Sequence, residues 1–328
     1  MTFSFGFAGD DIDTSHDAEV QPIAPTSALL QAGAFPVAGK PQLPATRLDL
    51  SQMLAAMPSK IAYSVLDVTL DDDSVVKLPR RELWDVRVQL MAEEEDNAEH
   101  GVDADGSGLG TLDVKTGVYE GGFKSWESSV DLVKVLAAQG KVSAAEQLPL
   151  RIIELVTLPN FILAWALSTR EHTPALRNAF TLDDELELLP EVIAAFQSYL
   201  IANRISLTFL SGAWSPEFIE TMYNGTPDEA AGFNTAAATL LLGAETIYSP
   251  FALQAFMRTT FAILQREKEK QDTSPAVALV AAKKMYFGVG GSLDDFVDQA
   301  RDCGGHVITL REEADGVRRG VVKCTLQE

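Results

Sequence analysis

Arg151-Ile152-Ile153-Glu154-Leu155 reads as a short buried strand, and it runs without a break into Val156-Thr157-Leu158-Pro159-Asn160, the start of a helical stretch over 157–168. The first half has the apolar, β-branched character of a strand covered on both faces. In α/β folds that bind a nucleotide-bearing ligand, such a strand ends in a glycine-rich turn that lets backbone N–H groups approach the ligand. Residues 154–160 contain no glycine. The junction therefore poses two questions: what the surrounding architecture is built to do, and whether this chain still holds all of it.

Outward from the junction the pattern is regular from about residue 115. Apolar runs at 151–155, 205–210, 238–244, 277–287, 305–310 and 319–326 read as strands. Helical stretches lie at 157–168, 185–202, 215–223, 251–268 and 292–302. A further helix, capped by Ser125, runs to about 139, with Trp126, Val130, Val133 and Ala137 on one face. Strand–helix alternation implies a mostly parallel sheet covered on both faces. The last two strands are joined by Glu312 to Arg318, too short for a parallel crossover, so they pair antiparallel.

Before residue 115 the chain is acidic. Net charge is −21, and residues 1–105 hold 7 basic and 19 acidic residues. Such a surface repels phosphate backbones and attracts basic proteins, so no direct nucleic-acid partner is expected. Residues 1–114 read as an extension, largely disordered, with short helices near 49–57 and 79–94 and the aromatic patch Phe3-Ser4-Phe5-Gly6-Phe7. Asp103-Ala104-Asp105-Gly106-Ser107-Gly108 copies the first half of a calcium loop, but the twelfth position is Val114, so a linker is expected and no metal. Cys303 and Cys324 read as buried free thiols, and His16, His100, His172 and His306 lack any triad context. The 46% hydrophobic content suffices for a core, yet no stretch is apolar and long enough to span a bilayer. Acids rather than bases near the N-terminus lead us to expect a monomer of the cytoplasm and nucleus.

Four ordered motifs carry a resemblance. They are Val118-Tyr119-Glu120-Gly121-Gly122-Phe123-Lys124-Ser125-Trp126-Glu127-Ser128, Leu210-Ser211-Gly212-Ala213-Trp214, Ala244-Glu245-Thr246-Ile247-Tyr248-Ser249-Pro250, and Met285-Tyr286-Phe287-Gly288-Val289-Gly290-Gly291-Ser292. Together they resemble the protein-histidine methyltransferases of the seven-strand, Rossmann-like class, fungal members in particular, over residues 79–94 and most of 115–328. The resemblance implies transfer of a methyl group from S-adenosyl-L-methionine to a histidine of a basic protein, typically a large-subunit ribosomal protein. It implies that Lys124, Ser125, Trp126, Glu127 and Ser128 lie against the methionine end of the cofactor. Gly212 and Trp214 would flank its adenine. Glu245 and Tyr248 would sit beside the acceptor substrate. Gly288, Gly290 and Gly291 fit no phosphate-loop spacing and are expected to shape a turn.

The junction is the departure from that family. There, the strand matching 151–155 is followed by a glycine-rich turn, a helix, a second strand and an acidic element before the helix matching 155–160. Here a βα unit and strand of roughly 30 or more residues are missing after Leu155. We therefore expect a truncated seven-strand sheet and weak binding of the methyl donor. A non-catalytic protein-binding relative and a lysine methyltransferase of the same fold are the alternatives.

Overall fold

Val277–Lys283 sets six apolar residues in a row before one lysine, and a strand of that composition has to be covered on both faces. The computed structural model describes residues 44–99, 114–115, 119–120, 125–138, 156–182, 184–224, 239–270, 276–286 and 290–327, with side chains at 93–99, 114–115 and 119–120 left aside. In chain order these form β1 (Thr46–Leu48), α1 (Leu50–Ala55), β2 (Lys60–Thr69), β3 (Val75–Arg81), α2 (Leu83–Glu99), β4 (Val114–Lys115), β5 (Tyr119–Glu120), α3 (Glu127–Ala138) and α4 (Leu158–Thr169). There follow β6 (Glu185–Glu187), α5 (Pro190–Ala202), β7 (Phe209–Ser211), α6 (Pro216–Tyr223), β8 (Leu240–Ala244), α7 (Pro250–Glu269), β9 (Val277–Lys283), α8 (Leu293–Asp302), β10 (Gly305–Glu313) and β11 (Arg319–Leu326).

The main sheet has four strands in the order β10-β11-β9-β8. β8 and β9 are parallel, from Leu240 opposite Val277 to Ala244 opposite Ala281. β11 lies antiparallel to both β9 and β10, as the short connection requires. Successive side chains of β9 point to opposite faces. Ala278, Val280 and Ala282 pack with Leu253, Met257 and Phe261 of α7 and Phe296 of α8. Leu279 and Ala281 pack on the other side with Leu132, Val135 and Leu136 of α3. The fold is thus α/β, with one parallel strand pair among the described residues.

Several expectations are corrected. The stretch 205–210 does not join the main sheet: β7 pairs antiparallel with β1, through Thr46–Ser211, Arg47–Leu210 and Leu48–Phe209. The expected helix 185–202 begins only at Pro190, because a residue before proline is pushed out of the helical region and Leu189 is extended at ψ 152°. Its first residues instead form β6, an edge strand beside β2. Residues 44–99 are not disordered. β2 and β3 form a hairpin, and Met53, Leu54, Ile61 and Tyr63 share a core with Ile162, Leu163 and Trp165 of α4 and Phe196 of α5. Packing therefore crosses the expected boundary at residue 114. The buried face of α3 carries Ser128, Asp131, Leu132, Val135 and Leu136, not the expected row through Trp126, Val130, Val133 and Ala137. Two of the five are polar, which hid the true face from an apolar count. The aromatic patch at 3–7, the loop at 103–108 and the strand expected at 151–155 lie outside the described residues.

Polar ties hold the layers in register. Asp131 of α3, almost fully buried, accepts from the Arg319 Nε of β11 at 2.7 Å. Arg47 of β1 donates to the carbonyls of Thr221, Met222 and Asn224 at 2.8, 3.3 and 3.1 Å, satisfying the C-terminus of α6. Arg311 of β10 reaches the hairpin turn, holding both Asp71 oxygens at 2.8 Å. Asp131→Ala should lower the unfolding free energy by about 3 kcal/mol in urea titration, since it strands a partly buried guanidinium. Glu312→Ala, which removes only the exposed Lys284–Glu312 pair, should leave the midpoint unchanged.

Candidate functional site

The parallel strands β8 and β9 end side by side, and chemistry in open α/β sheets collects at such carboxyl ends. The residue directly after β8 is Glu245, held at φ 57°, a left-handed conformation that is uncommon outside glycine. Its N–H donates to the Ala281 carbonyl of β9 at 3.0 Å, extending the ladder by one bond and fixing the backbone. Its carboxylate is then met from two directions. The Ser128 hydroxyl, in the first turn of α3, donates to Oε1 at 2.5 Å. The Tyr286 hydroxyl, just beyond β9, donates to Oε2 at 2.6 Å and also accepts the Lys283 N–H at 3.3 Å.

Tyr286 is held there by backbone bonds at residues 286, 290 and 291. Its N–H donates to the Gly291 carbonyl, and the Gly291 N–H donates to the Tyr248 carbonyl, both at 3.2 Å. A Cβ at 291 would run into the backbone of Ile247, Tyr248 and Ser249, so this close approach requires glycine. Gly290 supplies the left-handed turn at φ 82°. Burial above all, then the Glu245 charge and hydrogen bond, push the Tyr286 phenol well above its ordinary pKa. The phenol therefore stays a donor.

A cationic edge closes the cluster. The Lys283 ammonium lies 4.9 Å from the centre of the Trp126 ring, within cation–π range, and 3.9 Å from Glu127 Oε2. Ser125, Trp126 and Glu127 are exposed around it. Of the residues singled out from sequence, Trp126, Glu127, Ser128 and Glu245 are thus gathered in one place, while Lys124 lies outside the described residues. Tyr248 packs against the core under α7 and α8. Gly212 and Trp214 are engaged elsewhere. Gly212, at φ 138°, is backed by residues 44 and 45, and a Cβ there would lie 2.6 Å from the Pro44 carbonyl oxygen. Trp214 sits 5.6 Å from the Phe256 ring. Two residues of the cluster, Tyr286 and Lys283, were not singled out for it. Tyr286 lay inside a recognised motif, but only the folded turn shows its partner.

A carboxylate has roughly four acceptor positions, and the two hydroxyls occupy two. What remains can accept an N–H from an entering side chain and hold it in a fixed orientation. Among the described residues no group of histidine, cysteine and carboxylate side chains is arranged to hold a metal ion.

No family model matches the chain. Curated relatives do. Histidine protein methyltransferase 1 of Schizosaccharomyces pombe is 28% identical over 294 aligned positions, covering 79% of this chain and 78% of that protein. Histidine protein methyltransferase 1 of Saccharomyces cerevisiae is 29% identical over 360 positions, covering 90% and 89%. The Bos taurus protein named Histidine protein methyltransferase 1 homolog is 26% identical over 246 positions, covering 66% and 58%. Over most of its length this chain is similar to the histidine protein methyltransferases. Against the Saccharomyces relative this chain is short of residues. The Saccharomyces alignment is 360 positions long against 328 residues here, so that relative carries stretches with no counterpart in this chain.

The raised phenols give a pH prediction. Tyr286 and Tyr223 both have folded pKa values above the ordinary value near 10. Above about pH 10 the unfolded chain loses these protons first, so the two groups contribute stability in full below that pH and lose it as pH rises further. Tyr286→Phe should therefore show a shallower alkaline fall in urea midpoint than the unaltered protein, with little change in slope below pH 9.

Proposed function

We propose that this methyltransferase chain derives from enzymes that move a methyl group from S-adenosyl-L-methionine to a histidine side chain of a basic, large-subunit ribosomal protein. We propose further that it keeps the acceptor side of that reaction while its donor side is incomplete. The supporting observation is the Glu245 carboxylate, fixed by two hydroxyls at the carboxyl ends of the parallel pair. Imidazole is largely neutral and nucleophilic near pH 7, so methylation asks for orientation rather than for a strong base. An acceptor on one ring N–H fixes the tautomer and aims the other nitrogen's lone pair. Glu245 fills that role, with Ser128 and Tyr286 holding its carboxylate. The printed names of the relatives favour histidine over lysine. The acidic surface suits a basic target, encountered as a monomer in cytoplasm and nucleus.

The described residues do not fit the methyl donor. Gly212, assigned to its adenine by resemblance, is closed off by the backbone of Pro44 and Ala45, and Trp214 faces Phe256. Residues 154–160 offer no glycine turn, and their one carboxylate is Glu154. These observations also favour the second reading, a relative that binds its protein partner without turning it over. Two missing ribose hydrogen bonds, each contributing roughly 1.5–3 kcal/mol, lower affinity about a hundredfold to ten-thousandfold.

Calorimetric titration of S-adenosyl-L-methionine into the purified chain should give a Kd weaker than about 100 µM. Low-micromolar binding would overturn the incomplete-donor reading. The genomic sequence between the Leu155 and Val156 codons should hold an in-frame glycine-rich segment. A chain restored with it should methylate a histidine peptide, and Glu245→Gln in that restored chain should lose about a hundredfold in kcat.

A further inference from the structure

Lys283 ends β9 with its ammonium in an unfavourable place. The side chain is only 16% exposed, and the ammonium lies 4.9 Å from the centre of the Trp126 ring and 5.7 Å from that of Tyr286. Its one ion-pair partner among the described residues is Glu127 Oε2 at 3.9 Å, too far for a hydrogen bond and carried on an exposed side chain. Glu127 also opens α3, and the first turn of a helix carries partial positive charge, which disfavours a cation beside it. Stability alone therefore gives no reason for a charge here. The ammonium and the Glu245 carboxylate are held by the same two elements. Ser128, which donates to Oε1, directly follows Trp126 and Glu127 in α3. Tyr286, which donates to Oε2, has its ring beside the ammonium and its hydroxyl on the Lys283 N–H. The neighbouring cations are already matched. Arg319, opposite Lys283 on β11, is bonded to Asp131, and Lys284 is paired with Glu312 and Asp294. A side chain presented to Glu245 thus meets a carboxylate and a fixed cation that share Tyr286.

We propose that Lys283 is a specificity determinant of the acceptor site, admitting a neutral imidazole and rejecting an ammonium. The inference rests on the reading of Glu245 as the acceptor of a substrate N–H. A carboxylate alone cannot make that choice, because it bonds a charged donor more strongly than a neutral one. With Lys283 beside it, that attraction is offset. A substrate lysine, charged near pH 7, is brought up against like charge. An imidazole is largely neutral at that pH and keeps its bond to the carboxylate without the repulsion. Glu127 weakens the effect without cancelling it, since solvent screens its exposed carboxylate more than the mostly buried ammonium.

Two fluorescein-labelled peptides test this by anisotropy near neutral pH, with no methyl donor and no turnover. They share one basic sequence and differ at a single central residue, histidine in one and lysine in the other. The unaltered chain should bind the histidine peptide about tenfold or more tightly. Lys283→Met keeps the length of the side chain and removes its charge. It should erase most of that preference by strengthening the lysine peptide, whereas Lys283→Arg should retain the preference. A preference that survives Lys283→Met overturns the proposal, and so does equal binding of the two peptides by the unaltered chain. A third peptide, with norleucine at the central position, needs no variant to fold. It should bind the unaltered chain at least as tightly as the lysine peptide does, and weaker binding overturns the proposal. Glu245→Gln should weaken the histidine peptide. If it does so while Lys283→Met leaves the preference in place, the role of Lys283 falls and that of Glu245 stands. Histidine-peptide binding unchanged by Glu245→Gln overturns both.

Discussion

The C-terminal half is organised by one requirement: β9 has to be dry on both sides. A strand reading Val-Ala-Leu-Val-Ala-Ala cannot present either face to water, so one helix layer must cover Ala278, Val280 and Ala282 and another must cover Leu279 and Ala281. α7 and α8 provide the first. α3 provides the second, and the apolar residues it needs for that contact, Leu132, Val135 and Leu136, fix its rotation. With that rotation fixed, the polar residues on the same face are buried too. Ser128 and Asp131 are carried inward by the packing and must be satisfied there. Arg319 answers Asp131, and Glu245 answers Ser128.

The site is thus a consequence of how the helix packs, tightened by local backbone constraints. Glu245 stands where β8 stops, and its left-handed conformation persists because the Ala281 carbonyl and the two hydroxyls hold it from three directions. The backbone bond from Tyr286 to Gly291 depends on Gly291 passing against the backbone of residues 247–249. Strand end, helix start and glycine turn come from sequence positions more than 40 apart. They converge because all three are anchored to β8 and β9.

The strands of the C-terminal half were legible because their signal is local. Continuous apolar runs marked β8, β9, β10 and β11, and the short Glu312–Arg318 connection set the pairing of the last two. What sequence could not show was long-range pairing. β7 has the composition of a sheet strand, but nothing in Phe209-Leu210-Ser211 says that its partner is Thr46–Leu48. The hairpin β2–β3 was missed because its surroundings are acidic and polar, and composition argued for disorder. Its core residues, Ile61 and Tyr63, are buried by α4 and α5 from far along the chain. The site was half legible. Motif order brought Ser128 and Glu245 into view, whereas Tyr286 and Lys283 acquire their roles only through contacts that folding makes.

The pairing of β1 with β7 bears directly on Gly212. An edge strand exposes unpaired N–H and C=O groups, and some partner is favoured there. Residues 46–48 serve as that partner through three residue pairs, and Arg47 ties the same segment to the last carbonyls of α6. The approach carries Pro44 and Ala45 onto Gly212, closing the face that the resemblance assigns to the adenine. The segment at 44–48 therefore covers Gly212, and it does so with few contacts. A strand of three residues is a short hold. Arg47 reinforces it, because one guanidinium nitrogen reaches three carbonyls at the end of α6.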